Sequence, residues 1–197
     1  MTSPTNSSPD SPSFISPEYQ KQQQWMHENT EYGIASVKFA PLVTQIIDRL
    51  EITHLLDYGC GSRMNLIKHI KPKQKLTYQA YDPGVPDLAG APVPAQMVAC
   101  IDVLEHIEPE YLDNVLDHLL SLTEVVAFLT IHTGPAGKLL PDGRNAHINQ
   151  QPMEWWLPKL MERWDLQTVQ VTHAHAFHVI GFPKPKLEAP DGKKLVA

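Results

Sequence analysis

Cysteine is scarce, since Cys60 and Cys100 are the only two in 197 residues. One lies in a glycine-rich turn and the other in a predicted buried strand, so neither a disulfide scaffold nor a closed zinc site is expected. A reducing, cytoplasmic setting fits best. Basic charge is scarce too: 16 Lys and Arg stand against 22 Asp and Glu, for a formal net charge of −6. General binders of the phosphate backbone concentrate Lys and Arg on one face, so duplex nucleic acid is not an expected partner. No apolar run approaches the roughly 18 residues of a membrane span, and the N-terminus has no signal-peptide core. Neither membrane insertion nor secretion is expected.

The chain does carry the makings of one core. Hydrophobic residues make up 42% and charged residues 19%, ordinary values for a folded domain, and a second full domain is not expected at this length. Residues 1–17 are rich in Ser, Pro, Thr and Asn and are expected to form a flexible tail. Residues 18–183 form the predicted domain, and 184–197 a second tail rich in Lys, Pro and Gly. Within the domain, 18–32 has helical propensity. Its Tyr19, Trp25, Met26 and Tyr32 either cover a neighbouring site or, the favoured reading, simply pack on the core.

The organising stretch is Ile52–Ser62, where an apolar run stops at Asp57 and is followed by Gly59 and Gly61. This is a short buried strand entering a tight turn, and the two glycines let the backbone approach a ligand. A dinucleotide-binding turn needs a third glycine three places after the second. Met64 stands there instead.

Further strands follow. Leu76–Tyr81 ends at Asp82, an acid a little over twenty residues past the turn and so placed to accept hydrogen bonds from both hydroxyls of a ribose. Between Val85 and Gln96 the prolines, Gly90 and alanines leave no room for another helix and strand. Met97–Ile101 is a continuous apolar strand ending at Asp102-Val103-Leu104-Glu105-His106, and an apolar stripe over 110–122 predicts a helix. Val125–Ile131 is a buried strand, Met153–Met161 a helix that Pro158 kinks or divides, and Leu166–Val171 with Ala174–Phe182 a terminal strand pair. Pro41 is expected to open the helix that precedes the first strand.

Asp57-Tyr58-Gly59-Cys60-Gly61 resembles the first motif of class I S-adenosylmethionine (SAM) dependent methyltransferases, departing at Arg63, where many members carry another glycine. Asp102-Val103-Leu104-Glu105-His106 closely resembles their fourth motif. The likeness covers roughly 52–131. It implies an α/β, Rossmann-like fold with a mostly parallel sheet and a C-terminal antiparallel hairpin, here trimmed between the second strand and the strand at 97–101. It also implies SAM as cofactor, with Asp57, Gly59 and Gly61 around the methionine moiety, Asp82 on the ribose, and Asp102 at the cofactor or acceptor edge.

The expected activity is methyl transfer to an O or N acceptor on a small molecule, sugar or nucleotide. His106, His132 and His147 all lie where they should face the sheet's carboxyl edge, and His is the usual base near neutral pH. His147 is favoured because its loop, 141–147, also supplies Arg144 and Asn145 to orient the acceptor. Asp102, Glu105 and His106 are the alternative as ligands of a divalent cation, but their spacing is not specific and no metal is expected. Two other readings are a catalytically silent binding subunit of the same fold and a dehydrogenase. Acceptor identity and oligomeric state are not readable from the residues.

Overall fold

A computed structural model describes residues 13–31 and 34–185. The expectations for 1–12, for Tyr32 and for 186–197 lie outside the described residues.

The sheet follows from strands apolar on both faces. β1 (His54–Tyr58), β2 (Thr77–Tyr81), β3 (Ala95–Ile101), β4 (Thr123–His132), β5 (Trp164–His173) and β6 (Ala176–Pro183) form one sheet in the order β2-β1-β3-β4-β6-β5. The first four are parallel, and β6 returns antiparallel between β4 and β5. Because side chains alternate along a strand, each central strand serves two cores. Leu55, Met97, Ala99, Ile101 and Phe128 face one layer, while Leu56, Val98, Cys100, Leu129 and Ile131 face the other.

Helices cover both faces. α2 (Ala35–Arg49) and α3 (Asn65–His69) lie on the first, α4 (Leu112–Leu122) and α5 (Met153–Arg163) on the second. α4 buries Leu112, Val115, Leu116, Leu119 and Leu122, the three-and-four spacing of one helix face. Full burial of such a side chain contributes roughly 1.5–3 kcal/mol, so this double layer is what holds the strand ends in place. Between β2 and β3 there is only a one-turn 3-10 helix, Pro86–Leu88, as the composition of that stretch predicts.

Pro41 does not open its helix, and Pro158 does not divide its own. Pro41 lies inside α2, which starts at Ala35, and Pro158 lies inside an α5 that runs unbroken to Arg163. A helical proline frees the carbonyl four residues earlier. Those residues, Val37 and Glu154, are exposed, so water can take over the lost bond. The deepest residues of α2 are Ala40, Val43 and Ile47, with Ile46 also buried.

The N-terminal segment is anchored further upstream than its composition suggests. Phe14 stacks on His118 with ring centroids 4.1 Å apart, and the Ser16 N–H and hydroxyl donate to Glu108 at 2.8 and 2.7 Å. Ser16 then caps α1 (Pro17–Asn29) by accepting from the Tyr19 N–H at 3.1 Å. A serine cap with proline as the next residue is a strong helix start. α1 belongs to neither layer. It crosses the carboxyl edge, where the Tyr19 hydroxyl donates to the His106 carbonyl at 2.7 Å and Gln20 to the Pro83 carbonyl at 2.7 Å.

Candidate functional site

Parallel register brings the strand-end residues together. Tyr58 is paired with Tyr81 across β1 and β2, so the turn after β1 and Asp82 after β2 emerge side by side. The N–H groups of Gly59 and Cys60 donate to the Tyr81 carbonyl at 2.7 and 3.2 Å. The Asp82 carboxylate accepts from the Gly61 N–H at 2.9 Å and from the Gly84 N–H at 2.9 Å. Gly59 has φ 76°, and a Cβ there would overlap Val103, so both backbone conformation and space require glycine.

The carboxylates on this edge differ in environment. Asp57 is buried and accepts from the Tyr78 hydroxyl at 2.6 Å, and burial pushes its pKa up to about 7. It forms the floor of the turn. Asp82 is also raised by burial, opposed by His27 and by its two backbone donors, while burial lowers His27. His27 Nε2 stands 3.6 Å from Asp82 Oδ2. Both partners are thus pushed toward their neutral forms, because desolvation of each outweighs their mutual attraction.

A crevice opens between α1 and the strand ends, lined by Tyr19, Gln23, His27, Gly59, Asp82 and Asp102 among others. With α1 in this position it encloses about 70 Å³. The covering residues are therefore Tyr19, Gln23 and His27, whereas Trp25, favoured as a core-packing residue, is 45% exposed.

Asp102 stands at the boundary between this crevice and a second group. Its φ is 61°, and its N–H donates to Thr130 Oγ1 at 3.0 Å. Such left-handed backbone in a non-glycine residue stores roughly 1–3 kcal/mol of strain. Beyond it, Glu105 lies in a 3-10 turn, Leu104–His106, with no exposure at all. Burial and then the charge of Asp102 push Glu105 well above the usual carboxylate range. Burial likewise pushes His106 down to about 4.

His106, His132 and His147 do converge, as their strand-end positions predict. The His147 ring lies 4.7 Å from that of His106 and 4.8 Å from that of His132. His147 Nδ1 is 2.8 Å from the Gly134 carbonyl, so Nδ1 carries a proton, and in the neutral ring the lone pair is then on Nε2.

Both loop partners of His147 make their bonds within the loop. Asn145 Oδ1 accepts from the N–H groups of Ala136 and His147 at 2.9 and 3.0 Å, and its Nδ2 donates to the Ala136 carbonyl at 2.9 Å. With its amide bonded to backbone, Asn145 braces the loop. Arg144 turns back on Asp142, with Nη2 and Nε 2.7 and 2.8 Å from Oδ2, and remains half exposed. Neither the brace nor this clamp can be read from residue type, because both depend on where the loop folds back.

The cation alternative also changes membership. Asp102 and Glu105 are grouped with His147, not with the adjacent His106, whose Nδ1 lies 2.7 Å from the Ala146 carbonyl. His27 and Tyr78 are site residues the sequence did not indicate. No local motif links His27 to Asp82, 55 residues downstream.

No protein-family model and no curated protein matches the sequence. Solved structures do match, methyltransferases among them. Burkholderia thailandensis 1,6-didemethyltoxoflavin-N1-methyltransferase, solved with 1,6-didemethyltoxoflavin and S-adenosylhomocysteine bound, is 10% identical and superposes with a TM-score of 0.59 over 92% of this chain and 94% of that one. DhpI, solved in its SAH complex, is 14% identical with a TM-score of 0.59 over 87% and 100%. TnmH is 14% identical with a TM-score of 0.54, and the chain spans 82% of itself but only 57% of TnmH. The fold is therefore the class I methyltransferase fold. Its six-stranded form here has the mostly parallel sheet and the antiparallel C-terminal hairpin.

Proposed function

We propose that this chain is an enzyme, a SAM-dependent methyltransferase that transfers a methyl group to an O or N atom of a small molecule, sugar or nucleotide. The observation that carries this reading is the meeting of Gly61 and Asp82 in one crevice, where the carboxylate is bonded to the turn that would hold the cofactor. In open α/β sheets, ligands bind in such crevices. Asp82 would take the ribose hydroxyls, Gly59 and Gly61 the methionine end above Asp57, and Asp102 the edge shared with the acceptor. The bound S-adenosylhomocysteine of the toxoflavin neighbour supports this choice of cofactor.

Small-molecule pockets hold roughly 300–1,000 Å³, against about 70 Å³ here. Cofactor entry therefore takes α1 away from the strand ends and His27 away from Asp82. Methyl transfer is an in-line displacement, so alignment supplies most of the catalysis. The lone pair of His147 Nε2 is the acceptor-side group that would remove a proton. Two buried, unpaired thiols, Cys60 and Cys100, suit a cytoplasmic setting.

Calorimetric titration with SAM, S-adenosylhomocysteine and NAD tests the reading. Binding of the first two but not of NAD is expected. No SAM binding would leave the silent-subunit reading, and binding of NAD alone would replace the methyltransferase with a dehydrogenase.

A further inference from the structure

Two carboxylates and one imidazole converge where Asp102, Glu105 and His147 each bring a ligating atom to within 4.8 Å of the others. Glu105 and His147 are buried, at 0% and 6% exposure. Glu105 Oε1 accepts from the His132 N–H at 2.6 Å, while its Oε2 has no hydrogen-bond donor among the described residues. Leaving a buried polar atom unsatisfied costs roughly 1–3 kcal/mol, and more when it is charged. The neighbouring Asp102 carboxylate brings no donor of its own while ionised, so the two acids must share either a proton or a cation. No Lys or Arg side chain pairs with either acid among the described residues.

His147 completes the group in a specific tautomer. Its Nδ1–H is given to the Gly134 carbonyl, which leaves the Nε2 lone pair available. Metal-bound imidazoles commonly donate their other ring N–H to a backbone carbonyl in this way. Asn145 holds the His147 N–H in turn at 3.0 Å, so the loop brace has a purpose in setting the ring's position.

We propose that Asp102, Glu105 and His147 bind a divalent cation of the Mn²⁺ or Mg²⁺ class, which makes His147 a ligand rather than a free base. Carboxylate oxygens with one imidazole suit such ions better than thiophilic metals. Bonds of roughly 2.0–2.2 Å allow ligand atoms to stand up to about 4.4 Å apart, so the group must contract by only a few tenths of an ångström. Three protein ligands leave positions open. A groove lined by His147, Arg144, Glu108 and Gln150 adjoins them, so water or an acceptor oxygen can enter.

The use of the cation rests on the methyltransferase reading, although the site itself does not. Bound to the cation, an acceptor hydroxyl ionises more readily. Its proton leaves to solvent, the oxygen lone pair forms the bond to the methyl carbon, and the electrons of the broken carbon–sulfur bond stay on sulfur.

The test is titration of the metal-stripped full chain with MnCl₂, following free Mn²⁺ by electron paramagnetic resonance, alongside Glu105→Gln and His147→Ala. One Mn²⁺ per wild-type chain is expected, with affinity at least roughly 10-fold weaker in each variant. Circular dichroism establishes that the variants fold, and Glu105→Gln, which keeps the shape, decides if His147→Ala does not. Absence of stoichiometric Mn²⁺ binding to wild type, or equal affinity in folded Glu105→Gln, overturns the proposal. S-adenosylhomocysteine calorimetry on the same wild-type sample separates the two readings. Cofactor binding without Mn²⁺ sinks the cation alone, whereas Mn²⁺ binding without the cofactor sinks the methyltransferase and leaves the cation site standing.

Discussion

The crevice at the ends of β1 and β2 is built mainly from backbone, whereas the histidine group behind Asp102 is built from side chains held by a long loop. In the crevice, the turn N–H groups and Asp82 are fixed by strand register, and one carboxylate closes the arrangement with two bonds of 2.9 Å. Behind Asp102, His147 owes its position to Gly134 and Asn145, residues of its own loop. The first arrangement survives loss of one side chain's chemistry, because the strands remain. The second fails if its brace does. Binding and chemistry should therefore separate along the line between these regions.

The largest expected effect lies on the histidine side. His147→Ala should slow single turnover by roughly 10²–10⁴-fold, as loss of a positioned base or ligand does, while leaving SAM affinity unchanged. A variant with lower melting temperature but wild-type rate would make His147 a brace only, and the two regions would no longer divide chemistry from binding.

The floor of the crevice offers a pH test. Asp57 has its folded pKa raised to about 7 by burial, against an ordinary value of 3.8, so the fold favours its protonated form. That contribution is fully present below about pH 4 and is lost as pH rises through about 7. The loss is on the order of a few kcal/mol, at 1.36 kcal/mol for each pKa unit. Asp57→Asn should therefore melt near wild type at pH 4 and above it at pH 8. Parallel melting curves across that range would show that Asp57 ionises without penalty.

Asp82→Ala sharpens the comparison from the binding side. Loss of hydrogen bonds to a charged acceptor should weaken SAM binding by roughly 1.5–3 kcal/mol, with the sheet intact by circular dichroism. Unchanged affinity in the folded variant would remove Asp82 from the ribose. The smallest effect is expected of Arg144→Ala. The Arg144–Asp142 pair is exposed and joins residues of one loop, and such pairs contribute little. A large rise in acceptor KM would show instead that Arg144 leaves Asp142 to meet the acceptor.

The crevice was the more legible region. Asp57, Gly59, Gly61 and Asp82 sit at strand ends that hydrophobic runs announce, and 21 residues of chain suffice to bring Gly61 to Asp82. The bonds of Asn145 and Arg144 within their own loop were not legible, because residue type shows what a side chain can bond and not what it has already bonded. The helix across the crevice is legible from its composition, and of its aromatic residues Tyr19 does line the crevice. His27 was overlooked for want of any local pattern.

By itself the sequence determined the layers and the strand-end turn, because alternating burial, helical stripes and glycine conformations are set by residues close in the chain. It also set the missing helix and strand after β2, through a proline-rich stretch that supports neither. Only the tertiary structure decided which imidazole joins Asp102 and Glu105. His106 is adjacent to Glu105 in sequence, yet its ring is turned to Ala146, and a loop returning from β4 delivers His147 in its place. The reason is physical: a ligand set is defined by where lone pairs point, and that direction comes from hydrogen bonds made after the chain has folded back on itself.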